Sequence, residues 1–293
     1  MSNSAPTPYV GRFAPSPSGP LHFGSLVTAL GSYLQAKSQH GQWRLRIEDL
    51  DPLREVAGAA DDILTTLDKL GLHWDGAVVY QSQRLEVYQA VLEQWARSGL
   101  TYYCHCSRKQ IATRGPYYDG HCRHLNLPAT HSATRLIVKQ PIYHFQDRLQ
   151  GTIAIPAGLA EEDFIVRRRD GFYAYNLAVV IDDAAAGITE VVRGADLLQP
   201  TARQIALYQQ LDAPVPQWLH LPLVCNDGKK LSKHLNAPAI PADCPSQLLW
   251  RALTFLGQQP PNSMFKAPPH ELLAWARLHW CLDKVPHSTN ITL

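Results

Sequence analysis

Arg12-Phe13-Ala14-Pro15-Ser16-Pro17-Ser18-Gly19-Pro20-Leu21-His22-Phe23-Gly24-Ser25 decides how this sequence is read. Before it, Tyr9 to Phe13 predicts a short strand. After it, Leu26, Val27, Leu30, Tyr33 and Leu34 fall on one face of a predicted helix. Strand, Pro/Gly turn and helix start together present backbone N–H groups and a positive helix end to a phosphate. Pro15, Pro17 and Pro20 stiffen the turn, and Gly19 and Gly24 let a ligand approach the backbone closely. His22 precedes the helix and can face the same phosphate. A lone His-x-Gly would be a structural histidine at a strand-helix turn; the length of this string argues for more.

The string resembles the HIGH signature of class I aminoacyl-tRNA synthetases, in the form used by glutamyl and glutaminyl enzymes. That form is close to Arg-Phe-Ala-Pro-Ser-Pro-Thr-Gly-x-Leu-His-x-Gly. Here Ser18 replaces the threonine, and Ser25 stands at the second histidine of HIGH. A second match is Gly228-Lys229-Lys230-Leu231-Ser232-Lys233-His234, after a predicted strand Leu219–Val224. Alone it would be a basic solvated turn. It resembles the KMSKS loop, with Leu231 for methionine and His234 for the last serine. A third runs from Tyr173-Ala174-Tyr175-Asn176-Leu177 to Asp182-Asp183, and on through Gly187-Ile188-Thr189 to Arg193-Gly194-Ala195-Asp196. It is similar to a segment of glutamyl-tRNA synthetases. Asp182-Asp183 alone would suggest a metal or capping pair, but that family uses it structurally. The matches span Tyr9 to about His234, two motifs and a segment in the expected order.

Bulk properties set bounds. A chain of 293 residues, 45% hydrophobic and 18% charged, can bury a sizeable core in one large domain or two ordinary ones. A net charge of +2 gives no global field for nucleic acid, so RNA contacts must be local. No apolar run reaches bilayer length. Met1 to Pro8 lacks a basic start and an apolar core, so no signal peptide is expected and a cytoplasmic location follows. Six cysteines without a secretion signal suggest reduced thiols and a metal rather than disulfides.

Strands alternate with helices. Trp43–Asp49 predicts a strand, residues 55–70 and 83–98 helices ending at Gly71 and Gly99, and 201–211 a further helix. From Thr101 to about Glu162 the chain is rich in Cys, His, Tyr and Pro with short strands. Alternation resumes at Asp163–Val166, Asp170-Gly171 marks a hairpin turn, and Ile188–Val192 predicts a strand. Two helical stretches follow, near 246–256 and 269–278. The expected class is α/β: a Rossmann-type parallel-sheet catalytic domain at 9–100 and 163–240, interrupted by a zinc-containing α+β insertion at 101–162. A flexible tail, 1–8, precedes it. A short helical C-terminal segment, 241–293, follows, without an anticodon-binding domain.

The chemistry implied by the resemblance is attack of an amino-acid carboxylate on the α-phosphate of ATP. The attacking oxygen is already an anion, so no general base is needed. The protein must position the reactants and neutralise a pentacoordinate phosphate. His22, Lys230 and Lys233 suit that task, with Gly24, Ser25, Ser232 and Lys233 on ATP and Mg²⁺ accompanying the nucleotide. Glutamate has two carboxylates and one ammonium, so its burial needs two cations and an acceptor. Arg12 and Arg193 can supply bidentate forks, and Glu48 can take the ammonium. The plain alternative for the two arginines is surface solvation, against which stand their places at strand ends within two matched stretches. By resemblance Ala14, Ser16 and Tyr175 also touch the substrate. An arginine at 193 favours glutamate over glutamine, since a neutral amide would leave its fork half-paired.

Cys104-x-Cys106 and Cys122 read as a zinc site, which needs a fourth ligand. His105, His121 and His124 are ordinary candidates for it, and unligated core cysteines are the plain alternative. Tyr118-Asp119-Gly120-His121-Cys122 resembles the zinc segment of one small subfamily in which tyrosine is that ligand, which puts Tyr118 first and His121 second. The run Arg167-Arg168-Arg169 fits a solvated turn or a phosphate contact equally well.

Fewer than 60 residues follow His234, too few to reach from an acceptor end to an anticodon. The chain therefore resembles truncated paralogues of glutamyl-tRNA synthetase that carry glutamate onto the queuosine base in the anticodon arm of tRNA(Asp). The resemblance implies glutamate, ATP and that tRNA as partners, no membrane, and a monomer. The alternatives are aminoacylation of a tRNA(Glu) acceptor end, a HIGH-type nucleotidyltransferase, or a non-catalytic RNA-binding paralogue. The nucleotidyltransferase leaves the Arg193 segment and the cysteines unexplained. The non-catalytic paralogue has no need of Arg12, Glu48, Lys233 and Arg193 together.

Overall fold

Tyr9 to Phe13 alternates into strand β1 (Val10–Phe13), and the proline-rich turn then delivers the chain to α1 (Phe23–Lys37). The computed structural model describes residues 8–226, the backbone of 229–230, residue 240 and residues 244–292. From α1 the chain returns as β2 (Gln42–Ile47), crosses through α2 (Ala59–Lys69), and adds β3 (Val79–Tyr80). β1, β2 and β3 are parallel, with Arg12 opposite Arg44 and Ile47 opposite Tyr80. Parallel strands joined through helices are the connectivity expected for a sheet covered on both faces. The helix expected over 55–70 begins later, after Gly58 in a left-handed conformation, and Val56 lies exposed outside it.

After α3 (Leu85–Arg97) come β4 (Thr101–Cys104), a capping-box helix α4 (Arg108–Ala112), β5 (Ala133–Leu136), the hairpin β6 (His144–Asp147) and β7 (Gly151–Ala154), and α5 (Ala157–Ala160). Leu85, expected on the inner face of α3, is exposed at its first turn. β8 (Ile165–Arg167) was expected to rejoin the parallel sheet. It instead pairs antiparallel with β5, giving the order β4-β5-β8. Its alternation records burial against the core formed with α3 and residues 177–181, which is the same signal a central strand would give.

α6 (Tyr175–Ala185), β9 (Glu190–Gly194), α7 (Pro200–Gln210) and β10 (Gln217–Leu221) complete the parallel scaffold, and β9 and β10 pair in parallel. The β9–β10 ladder meets β1, where Thr189 donates its N–H to the Val10 carbonyl at 2.9 Å. The strand expected over Leu219–Val224 is two strands. Pro222 carries no N–H and ends β10, and β11 (Leu223–Asn226) joins a separate ladder with β12 (Lys229–Lys230) and β13 (Asn290–Thr292). α8 (Pro245–Phe255) and α9 (Pro269–His279) match the two helical stretches near the C-terminus.

α1 was expected to bury one face, yet Leu26 to Ala36 is buried almost all round. The sheet covers one side and α8 and α9 the other. Trp43 lies wholly buried beside it, its indole N–H donated to Ser32 Oγ at 3.0 Å. At Gly31 the helix lies close against β10: a Cβ there would stand 2.5 Å from Leu221 Cδ1, and that side chain would have to shift. Among the described residues no helix is long and apolar enough to cross a membrane.

Candidate active site

The turn joins β1 to the start of α1, as its sequence predicts. His22 caps α1 by accepting the Ser25 N–H on Nδ1 at 3.2 Å. An accepting Nδ1 places the proton of the neutral ring on Nε2. His22, Gly24, Ser25 and Thr28 line a cavity of about 240 Å³, closed opposite by Gly194, Asp196 and Pro222–Val224. The helix dipole points into this space, which suits a polyphosphate. Thr28 and Asp196 were not singled out from the sequence, although Asp196 ends the third matched segment.

A second cavity, about 430 Å³, lies on the other side of the turn. Ser16, Glu48, Leu50, Gln81, Phe172 and Tyr175 are among its walls, with Arg168 and Asp51 also lining it. Ser16 and Ser18 line both cavities, so the two spaces meet at the turn. Ala14 lines neither.

The predicted arginines are both buried, which removes the surface reading. Arg12 donates from Nε to Asp183 at 3.2 Å and from Nη1 to the Val192 carbonyl at 3.3 Å, leaving Nη2 without a hydrogen bond among the described residues. Arg193 differs. Its partners are His220 Nε2 at 3.0 Å, Gln204 Oε1 at 2.7 Å, Thr201 Oγ1 at 2.7 Å and the Leu197 carbonyl at 3.3 Å. All are neutral acceptors. The expectation of two free forks is therefore corrected: each guanidinium is tethered by the protein, and Arg193 keeps one N–H on Nη1 without a partner among the described residues. Its charge, however, meets no carboxylate in an ion pair there.

Glu48 directly follows β2 and shares Arg46 with Asp182 and Asp183. Burial raises its pKa, Arg46 working against that. One carboxylate oxygen accepts from Arg46 at 3.2 Å, and the other has no partner among the described residues. Arg46 was missed in the sequence, although its place two residues before Glu48 puts both on one side of β2.

Asp182 and Asp183 are structural, as expected. Asp182 accepts from Gln81, Arg84 and Tyr88, and Asp183 from Arg12 and Arg46. Burial raises the pKa of Asp183, but Arg12 and Arg46 outweigh it and hold the carboxyl below its ordinary value.

The three cysteines converge. The sulfur atoms of Cys104, Cys106 and Cys122 lie within 4.8 Å of one another. Tyr118 is buried with them, its hydroxyl accepting the Cys122 N–H at 2.7 Å and lying in hydrogen-bond reach of the Cys104 and Cys122 thiols. Arg135 stacks on its ring at 3.6 Å. His105, His121 and His124 are exposed and none joins the cluster. Burial pushes the Cys106 thiol up to about 11, against a hydrogen bond donated by Arg114. Three thiols and a phenol oxygen form a donor set that fits a tetrahedral zinc ion.

The three arginines of the 167–169 run are each engaged. Arg167 stacks on Tyr173, Arg168 pairs with Asp51 and Asp170, and Arg169 donates to the His105 carbonyl. Ser232 and Lys233 lie outside the described residues, as does the side chain of Lys230.

Residues 9–260 match the family described as "tRNA synthetases class I (E and Q), catalytic domain". Among curated relatives, a glutamyl-Q tRNA(Asp) synthetase of Photobacterium profundum is 60% identical over 98% of this chain and 93% of the relative. One from Serratia proteamaculans is 58% identical over 97% and 94%. Among solved structures, a glutamate-tRNA synthetase from Elizabethkingia anophelis superposes with a TM-score of 0.80 at 24% identity, covering 97% of this chain and 68% of that one. This last likeness concerns the fold.

Proposed function

The chain belongs to the class I tRNA synthetases of the glutamyl and glutaminyl type, and within them to the glutamyl-Q tRNA(Asp) synthetases; from that premise we propose how its site works. It activates glutamate with ATP and transfers the glutamyl group to the queuosine base of tRNA(Asp), acting as a monomer in the cytoplasm. The observation that carries this reading is the pair of cavities meeting at Ser16 and Ser18. One has a histidine-capped helix N-terminus. The other is lined by Glu48 and Tyr175.

ATP lies with its phosphates at Gly24 and Ser25, Mg²⁺ accompanying it. His22 donates from Nε2 to the α-phosphate, where negative charge grows as the glutamate α-carboxylate oxygen attacks and pyrophosphate departs. Lys230, Ser232 and Lys233 complete the phosphate contacts. Glu48 takes the substrate ammonium, Arg12 and Arg193 its carboxylates, and Ala14, Ser16 and Tyr175 border it. A queuosine hydroxyl then attacks the adenylate carbonyl. A new ester C–O bond forms, the bond to phosphate oxygen breaks, AMP leaves, and the hydroxyl proton is released. The 430 Å³ cavity has the room to admit the modified base.

The chain catalyses glutamate-dependent ATP–pyrophosphate exchange without tRNA, since the carrier RNA supplies no group to the first step. Exchange with aspartate or glutamine but none with glutamate would end this assignment.

Cys104, Cys106, Tyr118 and Cys122 hold a zinc ion that cross-links the loop between β4 and β5. When bound it supplies structural rigidity to the RNA-facing side of the site rather than catalysis. One zinc per chain is expected by elemental analysis, and it is lost in Cys104→Ser. A metal-free native protein would contradict this. Unchanged zinc affinity in Tyr118→Phe would move the fourth ligand elsewhere.

A further inference from the structure

We propose that Asp147 and His220 are positioning residues for glutamate recognition, locking Arg193 in place through an imidazole of fixed tautomer while leaving its charge for the substrate. The inference rests on the reading that Arg193 holds a substrate carboxylate.

The register of β9 and β10 sets His220 directly opposite Arg193. Arg193 Nε can only donate, and it stands 3.0 Å from His220 Nε2, so that nitrogen must offer its lone pair. The proton of the neutral ring is then on Nδ1, which lies 2.6 Å from Asp147 Oδ2. Asp147 comes from β6, whose hairpin reaches back onto β10. Its other oxygen accepts the backbone N–H groups of Leu149 at 3.0 Å, Gln150 at 2.8 Å and His220 at 3.3 Å. The carboxylate is therefore fixed by backbone, the ring by the carboxylate, and the guanidinium by the ring. His220 is fully buried and Asp147 and Arg193 nearly so.

The neutral ring between the two charges matters. A carboxylate touching Arg193 would form an ion pair and compete with glutamate for the same N–H groups. An imidazole accepts one hydrogen bond and carries no charge. Burial lowers the pKa of His220, with Asp147 opposing, so the ring is neutral at pH 7. Four of the five guanidinium N–H groups go to His220, Gln204, Thr201 and Leu197, and the remaining one on Nη1 has no partner among the described residues. Neither Asp147 nor His220 belongs to a motif. They are 73 residues apart and meet only in the fold.

Pyrophosphate exchange with the full chain tests this, reading KM for glutamate and KM for ATP separately, with thermal unfolding as a control. In Asp147→Asn an amide N–H replaces Oδ2 opposite Nδ1. The ring proton is driven to Nε2, where it confronts the Arg193 N–H. The glutamate KM should rise about tenfold or more, with kcat and the ATP KM little changed. His220→Gln keeps an acceptor near Nε2 and should stay close to wild type, whereas His220→Phe removes it and should behave like Asp147→Asn. A wild-type glutamate KM in both Asp147→Asn and His220→Phe would overturn the proposal. Should Asp147→Asn fail to fold, the His220 pair decides, and equal KM values for Gln and Phe would overturn it. If Arg193→Ala leaves the glutamate KM unchanged, the underlying reading falls too. If Arg193→Ala raises it while neither Asp147→Asn nor His220→Phe does, this inference alone fails.

Discussion

An Arg193→Ala variant loses at least about a hundredfold in kcat/KM for glutamate in pyrophosphate exchange, while its KM for ATP stays near wild type. The reason is electrostatic. Glutamate brings two carboxylates into a site where Arg12 is already shared with Asp183, and Arg46 with Glu48 and both aspartates of α6. Arg193 is the buried arginine of this group whose partners among the described residues are all neutral. Without it one substrate carboxylate is buried unpaired, a loss of about 3–5 kcal/mol. Those neutral partners leave no unpaired charge behind in the alanine variant, so the fold tolerates the change better than the substrate does. Lysine at this position restores charge without the planar fork and recovers only part of the activity. Near-native efficiency in the alanine variant would remove Arg193 from the substrate site.

The largest effect on stability belongs to Asp183→Ala. The Asp183 side chain is 3% exposed and binds Arg12 at 3.2 Å and Arg46 at 2.5 Å. Removing it strands positive charge in the core between β1, β2 and α6, and costs about 3–5 kcal/mol in urea unfolding. An unfolding midpoint equal to wild type would show that the two arginines are neutralised by other means. The same pair makes stability depend on pH. Its folded-state pKa is depressed. Its contribution is therefore full above the ordinary aspartate range near about 4 and is lost as pH falls through the lower native value.

What could be read from the sequence was local. The HIGH-like turn carries its own instructions: prolines fix the path and apolar spacing continues α1, while the cap that His22 makes shows only in the structure. The cysteines announce themselves by type and spacing. The misread elements depended on partners. β8 alternates as a central strand would, yet its neighbour is β5, a choice made by the fold of the insertion. Pro222 divides what looked like one strand, and β13, three residues of Asn-Ile-Thr, has no pattern to detect and exists because β11 pairs with it. The site divided in the same way. Arg12 and Arg193 lie in matched stretches, and Glu48 near the end of the strand expected over Trp43–Asp49. Asp147, His220, Gln204 and Thr201, which hold Arg193, are ordinary polar residues on other elements. Their role depends on the β9–β10 register and on a hairpin returning from the insertion.

The acceptor is the centre of the account. Adenylate chemistry alone would serve either a terminal ribose or the diol of queuosine, and an RNA loop with splayed bases suits recognition close to the active site. The direct measurement is transfer of labelled glutamate to tRNA(Asp) from normal cells and to the same tRNA from cells unable to make queuosine. Labelling of the first alone, surviving removal of the terminal adenosine, is the predicted result. Equal labelling of both, or loss of the label with the terminal adenosine, would contradict it.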